Sequence, residues 1–333
     1  MKKTSHRSTV TRHAFAAICK AALMTLLAAG LVQAQGYPAK PIRFIVGFPP
    51  GGTNDIVARV LAPKLTEYLG QTVVVENRGG ANTAIACEMF VRTPPDGHTL
   101  MLNAPGHATN PALMKLNFDS IRDFSFITIA AESQNLLVVH PSLPVNSVKA
   151  LIALSKKHPP SSINYGSSGT GTTVHLSAEL FQHMTGVKWL HIPYKGGGPG
   201  VIALMAGEIS LYFGNVPTVV QHVRAGKLRA LATTGSKRTP VAPEIPTVAE
   251  SGVPGYEVTT FYGVSAPAKT PRPIIDRLHG EIVRALNTAE LRERLQGLGA
   301  DPVGNTPEQY TAFMQNEIAK WTKVIRTAGI KGE

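Results

Sequence analysis

Cysteine is nearly absent from this 333-residue sequence, which contains only Cys19 and Cys87. Removal of the N-terminal segment described below would leave Cys87 alone, so an intrachain disulfide is excluded and the fold must rest on its hydrophobic core. Long apolar runs are also scarce. Beyond residue 34, none approaches the roughly 20 residues that a membrane-spanning helix needs, so the processed chain is expected to be soluble.

Motifs for metals, nucleotides and catalysis are missing as well. The histidines lack H-x-x-x-H and H-E-x-x-H spacing, so no metal site is expected. Residues 166–171 space their glycines as G-x-x-G-x-G, the reverse of the dinucleotide order, and residues 195–200 lack the G-K-[S/T] ending of a phosphate loop, so no cofactor is expected either. A G-x-S-x-G nucleophile motif is also absent, and no catalytic residue is predicted.

Residues 1–34 have the pattern of a secretory signal peptide. Five basic residues and no acidic residue accompany an apolar run over residues 21–32, which at about twelve residues is too short to span a bilayer. Cleavage near Ala34 and export to the periplasm are expected. The mature chain would keep 28 of the 33 basic residues against 21 acidic ones, a scattered charge of +7 that gives no basis for nucleic-acid binding.

Short apolar, β-branched runs alternate with segments of helical period, which is typical of α/β architecture with a largely parallel sheet. Helices are predicted over residues 56–69 and 176–184, and two or three more within residues 273–298 and 307–327, each of the latter segments opening on a proline. Strands are predicted at residues 42–47, 72–76, 99–102, 136–139, 163–165, 190–192, 211–213 and 228–233.

Four loops, each directly following a predicted strand, are candidate ligand contacts: residues 48–55, 77–83, 103–106 and 166–173. Glycine lets the backbone approach a ligand closely, and the first N–H groups of a helix attract an anion. Each helix start contributes only about 0.3–1 kcal/mol, up to about 2 when partly buried, whereas micromolar affinity requires about 8 kcal/mol. Several such loops must therefore converge on one anion; otherwise their glycines only form tight turns.

The first and last of these loops each open a helix. Thr53 or Asn54 is the candidate N-cap of one helix, and Thr172 or Thr173 of the other. Asp55 stands in the first turn, where the helix dipole favours an acid. It is also a candidate contact for a ligand ammonium or a bound water.

The ordered set of motifs resembles the Bug proteins, the periplasmic solute-binding receptors of tripartite tricarboxylate transporters. The likeness extends over nearly the whole mature chain. It is carried by the F-P-P-G-G-x-x-D loop at residues 48–55 and by residues 75–78, 95–100, 110–113, 166–172, 175–176, 193–196 and 246–256.

The resemblance implies an α/β, two-lobed periplasmic-binding-protein fold of type II, with a mixed sheet flanked by helices in each lobe and a ligand cleft between the lobes. By analogy, lobe 1 comprises residues 36–137 plus 258–333, and lobe 2 residues 138–257. The hinge would lie near residues 136–139 and 258–261. The implied ligand is a small carboxylate: a di- or tricarboxylate, an acidic amino acid or an aromatic acid. The receptor would be a monomer that docks on membrane permease subunits.

The predicted ligand-binding residues lie in the four loops and at two further positions. They are Phe48, Pro50, Gly51, Gly52, Thr53, Asn54, Asp55, Ala81, Asn82, Thr83, Asn103, Ala104, Ser167, Ser168, Thr170, Gly171, Thr172, Asn215 and Phe261. Asn82 and Thr83 stand where the family often has glycine, Phe261 where tryptophan is common, and Ser210 and Gly214 where aspartate is frequent. These departures leave the identity of the ligand open.

Two other functions fit the same residues. A soluble sensor would need the same closure around its ligand before presenting itself to a signalling receptor. A hydrolase or isomerase acting on a small acid would use Asp55 or a histidine as its base.

Overall fold

The computed structural model describes residues 36–330, so the predicted signal peptide and its cleavage site lie outside the described residues. The strands are β1 (Ile42–Val46), β2 (Val73–Asn77), β3 (Thr99–Asn103), β4 (Phe124–Val139), β5 (Asn164–Ser167), β6 (Leu190–Pro193), β7 (Leu211–Asn215), β8 (Arg229–Thr233), β9 (Thr259–Pro267) and β10 (Ala300–Pro302). The helices are α1 (Thr53–Leu69), α2 (Ala84–Phe90), α3 (Gly106–Leu113), α4 (Val148–Lys157), α5 (Thr173–Thr185), α6 (Gly197–Met205), α7 (Val216–Arg224), α8 (Arg272–Leu286), α9 (Ala289–Gly297) and α10 (Pro307–Ala328), with a 3₁₀ turn at Ala81–Thr83.

The first sheet has the strand order β2-β1-β3-β9-β4-β10. β1 pairs in parallel with β2 and β3, whereas β9, β4 and β10 are antiparallel to their neighbours. Ile42, Phe44, Ile45 and Val46 of β1 are all buried, as expected for a central parallel strand covered on both faces.

β4 belongs to two sheets. Its residues 124–134 pair with β9, and its residues 135–139 pair with β7 and β8. The second sheet has the order β8-β4-β7-β5-β6, with β7, β5 and β6 parallel. Mixed sheets with flanking helices confirm the α/β class implied by the resemblance, whereas the largely parallel sheet expected from the pattern alone is wrong. The lobe boundaries stay a prediction.

Strands β9 and β10 and the first part of β4 were not predicted from the sequence. Small and polar side chains such as Ala130, Ser133 and Asn135 are buried within β4, so the β-branched run that marks a strand is interrupted there. The missed part of β4 pairs with β9 along the whole of β9, and the two lie at the centre of the first sheet.

The predicted C-terminal helices are confirmed. Pro273 and Pro307 both lie in first helical turns, and Thr306 and Gln309 form a capping box at the start of α10. Tyr310 of α10 is fully buried, with its ring centroid 5.0 Å from that of Phe126 on β4. This helix therefore covers one face of the first sheet. Over the part of the chain that the structure describes, every helix is too short or too polar to cross a membrane.

Candidate functional site

A pocket lies where loops of the first sheet face loops of the second. The first-sheet side is lined by Phe48, Gly52, Thr53, Asn54, Asn82, Ala104, Pro105, Gly106 and Thr260, and the second-sheet side by Ser168, Thr172, Thr173, Gly197 and Asn215. Every lining residue is uncharged. Polar recognition there must come from amide and hydroxyl groups and from the backbone.

Five of the described helices begin at this lining. α1 begins at Thr53, α3 at Gly106, α5 at Thr173 and α6 at Gly197, and α7 follows directly on Asn215. The first N–H groups of a helix have no partner within that helix, and they carry the positive end of its dipole. At about 0.3–1 kcal/mol for each helix start, five together contribute on the order of several kcal/mol to holding one anion.

The two loops that open α1 and α5 cap their helices differently. Thr172 is the N-cap of α5, and its hydroxyl accepts a hydrogen bond from the His175 N–H at 3.3 Å, as predicted. The prediction for α1 is wrong. Gly52 is its N-cap without any side-chain hydrogen bond, because the helix already includes Thr53 and Asn54.

The turn at residues 81–83 is backbone-strained. Ala81, Asn82 and Thr83 have φ angles of 45°, 47° and 78°, a conformation that is uncommon outside glycine and rare for a β-branched residue. Such strain persists only where the surroundings enforce it. Gly106 is part of those surroundings, because a Cβ at that position would collide with the Asn82 carbonyl group.

A hydrogen-bonded network joins the pocket to the strands beneath it. The Asn215 side-chain amide donates to Asn135 Oδ1 at 2.6 Å and to Thr260 Oγ1 at 3.2 Å. The hydroxyls of Thr260 and Thr173 are 2.9 Å apart. Asn135 Nδ2 donates in turn to Ser177 Oγ at 2.9 Å. This network fixes the lining side chains before any ligand arrives.

Asp55 is buried behind its loop and lies outside the pocket lining. Its carboxylate accepts hydrogen bonds from Gly51 N at 3.1 Å, Arg59 Nε at 2.9 Å and Asn77 Nδ2 at 3.0 Å. Burial raises the pKa of Asp55, but these hydrogen bonds and the Arg59 charge outweigh burial and hold the pKa below its ordinary value. Asp55 therefore shapes the loop as an ionised acceptor, and this arrangement does not suit a general base.

Two stacked histidines support residues 167–172 from behind. His175 Nδ1 accepts a hydrogen bond from Gly171 N at 3.1 Å, and burial lowers the pKa of His175 to about 4, so the ring is neutral at ordinary pH. The His191 ring lies 4.1 Å from the His175 ring and bonds through Nε2 to Ser167 Oγ at 2.7 Å. Neither histidine lines the pocket.

The predicted contacts divide into three groups. Those that line the pocket are Phe48, Gly52, Thr53, Asn54, Asn82, Ala104, Ser168, Thr172 and Asn215. Those that belong to the same loops but lie outside the lining are Pro50, Gly51, Asp55, Ala81, Thr83, Asn103, Ser167, Thr170 and Gly171. Phe261 alone lies away from these loops, with its ring 5.0 Å from that of Phe313 in the core. As ligand contacts, all of these positions stay predictions.

Five lining residues were not among the predicted contacts: Pro105, Gly106, Thr173, Gly197 and Thr260. The first three of these nevertheless belong to the candidate loops at residues 103–106 and 166–173. Thr260 lines the pocket while its neighbour Phe261 packs against α10, because successive side chains of a strand point to opposite faces. Gly197 belongs to the glycine run at residues 195–200, which matches no nucleotide motif and so carries no signal for a binding site in the sequence. Among residues 36–330, no three His, Cys, Asp or Glu side chains are grouped to hold a metal ion.

Comparison with known proteins places this architecture among solute receptors. The model of the "tripartite tricarboxylate transporter family receptor" matches residues 57–330. A Rhodopseudomonas palustris protein solved with adipate is 37% identical, with a TM-score of 0.86 over 89% of this chain and 100% of the other. The periplasmic binding protein BugD is 33% identical, with a TM-score of 0.85 over 89% and 100%. MatC from Rhodopseudomonas palustris, solved with bound malate, is 30% identical, with a TM-score of 0.82 over 87% and 100%.

Proposed function

This chain belongs to the receptor family of tripartite tricarboxylate transporters, the Bug proteins, and we propose that its pocket captures a small carboxylate in the periplasm for uptake. The observation that carries the proposal is the convergence of five helix starts on a lining without a charged side chain. The adipate and malate in the two related structures make a dicarboxylate the first ligand to test.

Neutral donors suit a receptor that must release its ligand. A carboxylate held by backbone N–H and hydroxyl groups receives charge-assisted hydrogen bonds without a buried partner charge. A buried cation in the same place would carry its own desolvation cost in the empty state. The pocket therefore supports reversible capture, and the family of the chain adds delivery to membrane permease subunits to the proposal.

The hydrogen bonds of Asp55 and of His175, the histidine that supports the loop at residues 167–172, favour binding without chemical turnover. Asp55 already accepts three hydrogen bonds, and His175 already accepts one from Gly171, so the acceptor atoms of both are committed to the loops. A general base must come within hydrogen-bond reach of a substrate proton, and neither residue lines the pocket. We therefore propose a receptor and not a hydrolase or isomerase.

Calorimetry and thermal shift on the processed protein test this function. The panel comprises adipate, malate, citrate, glutamate and benzoate, with adipamide as an uncharged control of the same length as adipate. At least one acid is expected to raise the unfolding temperature, because a ligand that binds only the folded state stabilises it, whereas adipamide should not. Equal stabilisation by adipate and adipamide, or none by any acid, contradicts the proposal. Mass spectrometry of the recovered ligand should show it unchanged.

A further inference from the structure

Two hydrogen bonds connect first-sheet helices directly to the second-sheet side beside the pocket. The Thr109 hydroxyl on α3 lies 2.9 Å from the Gly171 carbonyl oxygen, to which it donates. The hydroxyls of Thr53 on α1 and Thr218 on α7 are 2.6 Å apart. Thr109 and Thr218 do not line the pocket, so their hydroxyls contact the opposite lobe and leave the ligand space free.

Gly171 is held from both sides. Its N–H donates to His175 on the second-sheet side, and its carbonyl accepts from Thr109 on the first-sheet side. Its φ of +79° favours glycine, and a Cβ would collide with the Leu113 side chain of α3. Because Gly171 has no side chain, α3 can approach closely enough for Thr109 to contact the Gly171 carbonyl.

A chain of hydrogen bonds links this contact to the pocket lining. Asn110 Nδ2 donates to the Asn82 carbonyl at 2.8 Å, which leaves Asn110 Oδ1 to accept from Asn82 Nδ2 at 3.1 Å. Asn82 Nδ2 also donates to Thr109 Oγ1 at 3.2 Å. The Thr109 hydroxyl thus accepts from a lining residue. Its proton has the Gly171 carbonyl at 2.9 Å as its nearer acceptor, and the Gly106 carbonyl of its own helix lies farther away, at 3.5 Å.

We propose that Thr109 and Thr218 are positioning residues for ligand capture, whose hydroxyls hold the two lobes together in the closed form without touching the ligand. The inference rests on the proposed function, because closure around a ligand is what such contacts would serve. Contacts present only in the closed form shift the equilibrium towards it and slow the lobe separation that precedes release. One neutral hydrogen bond of this kind corresponds to about a 2- to 10-fold change in Kd.

Threonine-to-valine substitutions test the proposal, because they remove the hydroxyl and nearly preserve the shape. Thr109→Val and Thr218→Val are each expected to raise the Kd for adipate about 2- to 10-fold, mainly through faster dissociation in stopped-flow measurements. Thr109→Ser keeps a hydroxyl and should restore most of the affinity. Thr311→Val is the matched control, because the Thr311 hydroxyl donates to the Pro307 carbonyl at 2.8 Å within α10 alone.

The proposal is overturned if Thr109→Val and Thr218→Val bind adipate with the Kd and the dissociation rate of the parent protein. It is also overturned if Thr311→Val weakens adipate binding as much as they do. If no acid of the panel binds the parent protein, the proposed function fails by itself. In that case, small-angle scattering of the unliganded protein tests whether the Thr109 and Thr218 hydroxyls hold the two lobes together. A variant that carries both Thr109→Val and Thr218→Val should have a larger radius of gyration than the parent and Thr311→Val. An unchanged radius overturns the proposed contact between the lobes.

Discussion

The glycine loops on opposite sides of the pocket have the same hydrogen-bond pattern, but the side chain that accepts the glycine N–H differs. Gly51 and Gly171 both have positive φ, +84° and +79°, and each donates its N–H to the side chain four residues later, in the first turn of the following helix. The acceptor is the Asp55 carboxylate in one loop and the neutral His175 imidazole in the other. The loop geometry therefore depends on an acceptor at this position and not on its charge.

The largest effect is expected from removing the charged acceptor. Asp55→Ala leaves Gly51 N, Asn77 Nδ2 and Arg59 without their common partner. Because breaking a buried ionic group leaves its partners uncompensated, we expect a loss of about 3 kcal/mol in the free energy of unfolding, measured by urea denaturation. Asp276→Ala is the control, since Asp276 forms an exposed ion pair with Arg272 on α8. A loss no larger than in that control would show that the carboxylate is dispensable.

Lowering the pH should destabilise the loop supported by His175 before the loop supported by Asp55. The folded pKa of His175 is depressed from 6.5 to about 4, so its stabilising contribution is complete above pH 6.5 and is lost as the pH falls towards 4. The loss is on the order of 3 kcal/mol, whereas Asp55 stays ionised in this window because its pKa is lowered from 3.8. Hydrogen exchange between pH 6.5 and 4.5, corrected for its intrinsic pH dependence, should loosen residues 166–176 before residues 48–56. If both loops lose protection at the same pH, His175 is not the cause of the acid sensitivity. The same conclusion follows if His175→Gln shows the pH profile of the parent protein.

The two glycines should differ in their tolerance of alanine. Both Gly51→Ala and Gly171→Ala place a side chain at positive φ, which costs about 1–2 kcal/mol of stability. Only Gly171→Ala also meets the opposite side, at Leu113, because space around Gly51 is open. We expect similar unfolding temperatures for the two variants but weaker adipate binding in Gly171→Ala. Equal affinities would mean that Gly171 is not a contact between the lobes.

The smallest effect concerns the caps. Thr172→Ala removes the side-chain cap of α5 and should cost about 1 kcal/mol in urea denaturation, whereas Thr172→Ser should cost much less. On the other side, α1 has no side-chain cap at Gly52 to lose. Gly52→Ala removes no capping hydrogen bond, and alanine at this φ of −84° lowers the entropy of the unfolded chain, so we expect it to cost less stability than Thr172→Ala. A larger loss in Gly52→Ala than in Thr172→Ala would reverse this expectation.

Local signals in the sequence predicted the parts of the fold and site that depend on neighbouring residues. Glycine-bearing loops after apolar strands identified residues 48–55 and 166–173, and proline at helix starts identified α8 and α10. The lining residue Thr260 could not be found in this way, because its position depends on the pairing of β9 with β4 over more than a hundred residues of sequence. The contact between Thr109 and Gly171, 62 residues apart, likewise exists only after both sheets have formed.

The central claim is that an anion is held by helix starts without a cationic side chain. A crystal structure of the protein with adipate, or with the acid that binds most tightly, tests it most directly. The account predicts one carboxylate within hydrogen-bond distance of backbone N–H groups from helix starts on both sides of the pocket, such as α1 and α5. A carboxylate paired instead with a lysine or arginine side chain, away from these helix starts, would contradict it.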